Sequence, residues 1–191
     1  MADTNKVLFG FKNLYIGTYE VADDGTVTMG TPYHQKGAVG FSPEGQGENY
    51  TFYADDTAYY SSYTGGSYQG DLVVAKLDDE FKEQFLGYVR TKQGGLAEIK
   101  GAKKPNVYMA YQLEGDAQAE RVIWYNGSLG IPTREVATIE ESVEVQTESI
   151  STTFSGDNET GMTQVWYKPG DAGYDTLFTN PPAPELEEAS A

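Results

Sequence analysis

GAVGFSPEGQGENYTFYADDTAYYSSYTGGSYQGDLVVAKLDDEFKEQFLG, residues 37–87, decides the fold. It opens as a long period-two run, passes through an aromatic tip rich in Gly and Ser, narrows to the short apolar strand DLVVAKL, and ends in one compact helix. Successive side chains of a strand point to opposite faces, so Val39 and Phe41 are expected on one face and Ser42, Glu44, Gln46 and Glu48 on the other. An acidic sheet face is the consequence. Pro43 and three glycines in the same run predict a bend, a bulge or an exposed edge partway along. Thr64-Gly65-Gly66-Ser67 is expected to form the tip of an extended hairpin spanning residues 51–70. The tyrosines of that arm need a partner surface, because a phenol ring packs at one end and stays wet at the other. Tyr53, Tyr59, Tyr60, Tyr63 and Tyr68, with Asp55 and Asp56 between them, are candidate interface residues.

Beyond this stretch, Asp78 is placed as the N-cap of a helix over 78–87, Asp79 and Glu80 suit its positive end, Phe81 and Phe85 share a face, and Gly87 closes it. Val7 to Glu20 reads as a strand broken by a bulge, and Thr26 to Met29 as a short strand ended by Gly30-Thr-Pro. His34 falls in the loop that follows. Asn106 to Glu114 and Glu120 to Leu129 alternate as a hairpin, with Val107, Met109, Tyr111 and Leu113 on one face and Val122 with Trp124 on the matching face. Glu144, Gln146 and Glu148 point one way, and a bulge near Ser149 is expected to change the phase before Ile150, Thr152 and Phe154. Asp157 to Gly161 reads as a turn and Met162 to Tyr167 as the last strand. Residues 1–180 are read as one β domain, and Pro181-Pro182-Ala183-Pro184 with the acidic end, 181–191, as a flexible tail.

The composition agrees with a mainly β fold. A chain of 191 residues with 22 Gly, 15 Tyr and only 22% charged residues favours strands joined by tight turns over a helical bundle. Its formal charge of -16 repels phosphate and anionic lipid. Without cysteine there is no disulfide, thiolate metal site or Cys nucleophile. No apolar run reaches the roughly 18 residues of a membrane span, and the amino terminus lacks the pattern of a signal peptide.

No motif assembles a reaction centre. Tyr53-Ala54-Asp55-Asp56 matches the YxDD pattern that holds catalytic metal in reverse transcriptases, but too little chain precedes it to supply a palm, and it is read as a polar hairpin shoulder. Asp157-Asn158-Glu159-Thr160-Gly161 imitates a calcium loop, yet its Gly falls at the fifth position and Lys168 occupies the twelfth, so a surface turn is expected. Gly45, Gly47, Gly65 and Gly66 match no phosphate-loop spacing. One His, in a turn-like context, cannot supply a catalytic triad. Neither cofactor nor metal is expected, and an enzyme is not.

The order of segments resembles the major tail protein (tail tube protein) family of long-tailed, non-contractile phages of Gram-positive bacteria. The matching stretches are KVLFGFKNLYIGTYE, GTVTMGTPYHQKGAVGFSPEGQGENYTFYADDTAYY, GDLVVAKLDDEFKEQFLG, YQLEGDAQAERVIWYN and ESVEVQTESISTTFSG. The resemblance implies a β-sandwich or barrel-like domain that forms hexameric rings stacked into a hollow cylinder in the virion, assembled in the host cytoplasm. Its implied partners are further copies of itself, the tape measure protein and the tail tip and terminator proteins, while DNA passes through without specific binding and no membrane is involved. Under it, Glu44, Gln46, Glu48, Glu144, Gln146 and Glu148 become candidates to line the bore. A β-sandwich binding module with a Tyr-rich loop for carbohydrate or protein is the alternative, and a carboxylate-based hydrolase is a third.

Overall fold

The computed structural model describes residues 5–134, 136 and 145–186. Its strands are β1 (Leu8–Val21), β2 (Val27–Met29), β3 (Tyr33–Gln35), β4 (Ala38–Ala54), β5 (Thr57–Val74), β6 (Val89–Arg90), β7 (Leu96–Ala97), β8 (Val107–Gly115), β9 (Glu120–Arg134), β10 (Glu148–Phe154) and β11 (Gln164–Tyr167). The helices are α1 (Asp79–Leu86) and α2 (Ala172–Thr176). One antiparallel sheet runs in the order β2-β1-β8-β9-β10-β5-β4, with β3 attached to β1, β11 attached to β9, and a separate β6-β7 ribbon. The sheet curls until β1 and β4 approach each other, but no ladder joins them.

Two apolar layers hold the sheet. Inside the curl lie Leu14, Ile16, Leu72, Val74, Met109, Val122, Trp124, Ile150 and Phe154, with Phe81, Phe85 and Leu86 of α1 closing the open end. Each fully buried aromatic or aliphatic side chain there contributes roughly 1.5–3 kcal/mol. Phe41 reaches this layer from β4, its ring edge-on to Trp124 at 5.7 Å and to Tyr111 at 6.0 Å. Trp124 donates its indole N–H to Tyr111 Oη over 3.1 Å, which removes the cost of burying both polar atoms. The outer layer gathers Tyr19, Tyr108, Ala110, Ile123 and Tyr125 beneath Leu177 and Phe178. β8 is therefore buried on both faces, because its odd positions serve one layer and its even positions the other.

The hairpin of β8 and β9, the bulged β1, β2 and the turn at Asp157 follow the pattern read from sequence. β1 slips register twice against β8, where Gly10 and Asn13 take positive φ of 65° and 54°. α1 starts at Asp79 and is closed after Leu86 by Gly87, whose φ of 72° is left-handed. Asp78 occupies the N-cap position but makes no side-chain cap bond; its carboxylate accepts from Tyr33 Oη at 3.2 Å instead.

Five expectations are corrected. The arm does not turn at Thr64-Gly65-Gly66-Ser67: β5 runs straight through those residues and the chain reverses at Asp55-Asp56, whose φ values of 52° and 57° make a hairpin turn of the I′ kind. Val39 and Phe41 do not share a face, because an extra residue on β4 between Ala38 and Gly40 turns Val39 outward while Ala38 and Phe41 both pack inward. His34 sits in β3, paired with Tyr15 and stacked on its ring at 4.5 Å. No bulge occurs at Ser149, since β10 pairs β5 without interruption; the extra residue lies on β9 between Leu129 and Pro132. Pro181 and Pro184 are buried, and Tyr125 Oη donates to the Pro182 carbonyl at 3.0 Å, so the start of the tail is fastened to the outer layer.

That fastening continues upstream. Arg121 lies 4.0 Å from the Tyr174 ring centroid and 4.6 Å from that of Phe178, and it donates to the Tyr174 carbonyl. Tyr19 Oη donates to Asp157 Oδ1 at 2.6 Å inside the same layer. Burial pushes the Tyr19 phenol up, and the hydrogen bond to Asp157 adds to it. Burial alone would raise the Asp157 carboxyl, but donors from Tyr19, Thr160 and Glu159 hold it below the usual carboxylate range.

Candidate functional site

Four strands, in the order β4-β5-β10-β9, present one face to the inner layer and the other to solvent. Antiparallel partners share a face, so the ladder sorts the side chains. Outward pairs are Ser42 with Asp71, Glu44 with Gln69, Gln46 with Ser67 and Glu48 with Thr64; β10 adds Ser151 and Thr153, and β9 adds Ser128. Those positions hold three carboxylates among hydroxyls and amides, and no cation. Inward of them, Leu72 pairs with Phe41 on one side and with Ile150 on the other. A polar face over an apolar one is the ordinary result of period-two alternation.

Glu44, Gln46 and Glu48 are exposed and aligned along this outward face. Gln146 is exposed beside Ala75, Lys76 and Arg134, ahead of the first residue of β10. Glu144 lies outside the described residues. Glu148 differs from its neighbours. Its even-numbered position puts it on the same face as Ile150, Thr152 and Phe154, with 4% of its surface exposed. Leu77 N–H donates to Oε2 at 3.0 Å, Lys82 Nζ stands 3.6 Å away, and Arg134 pairs with Oε1. Burial on its own would raise this carboxyl; the Leu77 and Arg134 hydrogen bonds and the Lys82 charge outweigh it and hold it below the ordinary range. Glu148 thus locks the root of β10 to α1 and offers no free charge to the polar face.

The arm is the part of the β4-β5 hairpin that no third strand supports among the described residues. β10 pairs β5 only from Val74 to Tyr68, and the two strands continue alone to Asp55-Asp56. From Gly45 to Ala54 this is roughly 30 Å of two-stranded ribbon. Tyr50, Phe52, Tyr53, Tyr59, Tyr60 and Tyr63 are each about half exposed or more, with Tyr59 at 78%. An isolated hairpin of this length is marginal in water, and so many exposed rings mark a surface built to be covered. Tyr63 lies across Gly47 and Gly65, where a Cβ would collide with its ring. Tyr68 belongs to the root: its ring meets Trp124 edge-on at 5.0 Å, inside the protein's own core.

Two strand edges of this four-stranded unit are open among the described residues. β4 has no neighbour beyond it. β9 loses β8 after Gly127, so Ser128 to Arg134 are paired with β10 on one side alone. Lys104 Nζ covers part of that second edge by donating to the carbonyls of Leu129 at 3.3 Å and Gly130 at 2.7 Å. An edge left open at each end of one unit is the arrangement that continues a sheet from copy to copy. Among the described residues no group of three or more acidic or His side chains is placed to hold a metal ion.

Comparison with known proteins identifies the fold and the family. The cap that terminates the tube of the anti-feeding prophage aligns with a TM-score of 0.50 at 8% identity, covering 88% of this chain and 97% of that one. A chain of the sheath-tube complex of PVC, an extracellular contractile injection system, in its extended state aligns at 0.48 and 8% identity, covering 85% and 93%. No curated protein sequence matches. The family model described as phage tail tube protein matches residues 2–153. That match spans the arm, the polar face and both open edges, and the chain belongs to the phage tail tube protein family, a structural family of the virion tail.

Proposed function

We propose that copies of this chain assemble as hexameric rings, stacked into the hollow tube of a non-contractile tail that conducts DNA from capsid to host, with the outward face of β4-β5-β10-β9 toward the bore. The observation that carries this reading is the coincidence of a cation-free polar face with an open strand edge on each side of it. The open edges of β4 in one copy and of β9 in the next meet at one subunit boundary, apart from the Leu129 and Gly130 carbonyls that Lys104 occupies and the adjoining Ile131–Pro132 segment, and backbone groups paired across it no longer depend on water. Heterologous contacts of this kind close into a ring when the rotation allows.

Glu44, Glu48 and Asp71 repel phosphate, and repetition around a ring multiplies that repulsion. Cations in their place would release counterions from DNA at every level and retard its passage. Gln46 fits the same surface as a neutral polar group, and Gln146 extends it toward Lys76 and Arg134. The tyrosines of the arm dock on a neighbouring copy. The chain's further partners are the tape measure protein and the tail tip and terminator proteins, and assembly takes place in the host cytoplasm.

Negative-stain microscopy of concentrated protein tests the assembly and is expected to show rings or hollow filaments. For the bore, Glu44→Lys with Glu48→Lys in assembled tails is expected to slow DNA ejection and steepen its salt dependence. Unchanged ejection at every salt concentration would place these glutamates on the outside.

A further inference from the structure

We propose that the tip of the arm, Tyr53 to Tyr59, seats in a groove on a second copy of this chain, between α1 and β9. This rests on the reading that the arm docks on a neighbour, and it names the receptor. The groove has a volume of about 490 Å³ and is lined by Leu86, Tyr88, Ile99, Lys100, Lys104 and Ile131. Ile99 is 49% and Ile131 66% exposed. Two branched apolar side chains facing water across one groove leave apolar area that only an occupant can remove from it.

Charge selects the occupant. In a chain of net charge -16, residues 92–104 carry Lys92, Lys100, Lys103 and Lys104 against Glu98 alone. Lys104 is engaged with the carbonyls of β9. Lys92, Lys100 and Lys103 are exposed and make no ion pair among the described residues, whereas nearby Arg90 is held by Glu83 at 2.6 Å and Asp79 at 3.7 Å. The groove therefore combines an apolar floor with Lys100 in its lining and Lys103 next in sequence to it, while Glu98, which also lines it, accepts from Tyr88 Oη at 3.0 Å.

The arm tip has the complementary composition. Asp55 and Asp56 occupy the two central positions of the turn, so their side chains diverge from a fixed backbone, and both are exposed. Tyr53 and Tyr59 flank them at 67% and 78% exposure. A tyrosine ring suits the space between Ile99 and Ile131, and the paired carboxylates suit Lys100 and Lys103. Topology makes the contact intermolecular: the arm leaves from the β4 end of the four-stranded unit, and the groove lies at the β9 end. Such a contact is head-to-tail, and it repeats.

The absence of cysteine supplies the test. Two differently tagged preparations, Ala54→Cys and Ile99→Cys, are mixed, assembled and treated with a short bis-maleimide. A cross-linked pair carrying both tags is expected, with Ile99→Cys reactive toward a soluble maleimide in the monomer and at least about tenfold slower in the tube. Asp55→Lys with Asp56→Lys is expected to slow polymerisation about tenfold, and Lys100→Glu with Lys103→Glu in the same chain to restore it. Should Ile99→Cys itself block assembly, Lys103→Cys replaces it. Tubes that form with the arm deleted would overturn the arm reading itself. Tubes that require the arm, yet give no mixed cross-link and leave residue 99 reactive, would overturn the groove alone. A thiol at 99 already protected in the monomer would do the same, because the chain's own residues would then fill the groove.

Discussion

The root and the tip of the β4-β5 hairpin are the same secondary structure in opposite circumstances. At the root, Phe41, Leu72 and Tyr68 pack on Trp124 and Phe154, and β10 supplies a third strand. At the tip, two strands hold one another through a ladder while their rings face water. The root contributes to folding, and the tip is left for assembly. Mutations in the two halves should accordingly separate stability from polymerisation.

Trp124→Ala should give the largest loss, about 4 kcal/mol by denaturant titration, because it empties the centre of the inner layer and orphans Tyr111. Tyr59→Ala is its counterpart on the tip and should change monomer stability by no more than about 0.5 kcal/mol while weakening tube formation. A stable, fully polymerising Tyr59→Ala would break the comparison.

Glu148→Ala ranks next, at about 3 kcal/mol, since it leaves Lys82 nearly buried with no counter-charge. The pH dependence follows from the same group. Its carboxyl titrates lower in the folded chain than in the unfolded one, so its stabilisation is complete above the ordinary carboxylate range and disappears as pH falls through the lowered folded value. Asp157 acts in the same sense. Urea midpoints measured from neutral pH into the acid limb should fall less steeply for Glu148→Gln than for the parent.

Two glycines on β5 sharpen the contrast at smaller scale. A Cβ at Gly70 would run into the backbone of Ser42 and Pro43, so Gly70→Ala should cost about 2 kcal/mol. Nothing lies within 4 Å of a Cβ at Gly66, and Gly66→Ala should be neutral within about 0.5 kcal/mol. Asp78→Ala should be smaller than a usual cap loss of about 1 kcal/mol, because Asp78 makes no cap bond.

What was legible in the sequence is what repeats locally. Alternation fixed β8 and β9 and the faces of Val107, Met109, Tyr111, Val122 and Trp124, and the Phe81–Phe85 spacing with Gly87 fixed α1. Gly-Gly is the stronger turn signal taken alone, whereas two aspartates tolerate left-handed backbone when the flanking ladder demands it. Period two groups Glu148 with Glu144 and Gln146, and a carboxylate suggests solvent, yet Glu148 is buried. Its partners come from two distant stretches, Leu77 with Lys82 and Arg134 alone, and only the fold brings them together. The open edge of β9 was equally invisible, because losing a neighbour after Gly127 leaves no mark on β9 itself.

Gly66 is the extra residue that lets Gln46 sit opposite Ser67 and Gly47 opposite Gly65. Every side chain from Tyr60 to Gly65 owes its facing to that one unpaired residue, and Tyr59, a second extra residue on β5 opposite the Phe52–Tyr53 step, shifts Thr57 and Ala58 once more, since a slip of one inverts a strand. Evolution of the hairpin is consequently discrete: an even number of residues can be gained or lost without consequence for handedness, and an odd number only when a compensating irregularity appears beside it. Relatives of different length should be brought into correspondence by counting such irregularities first and letters second.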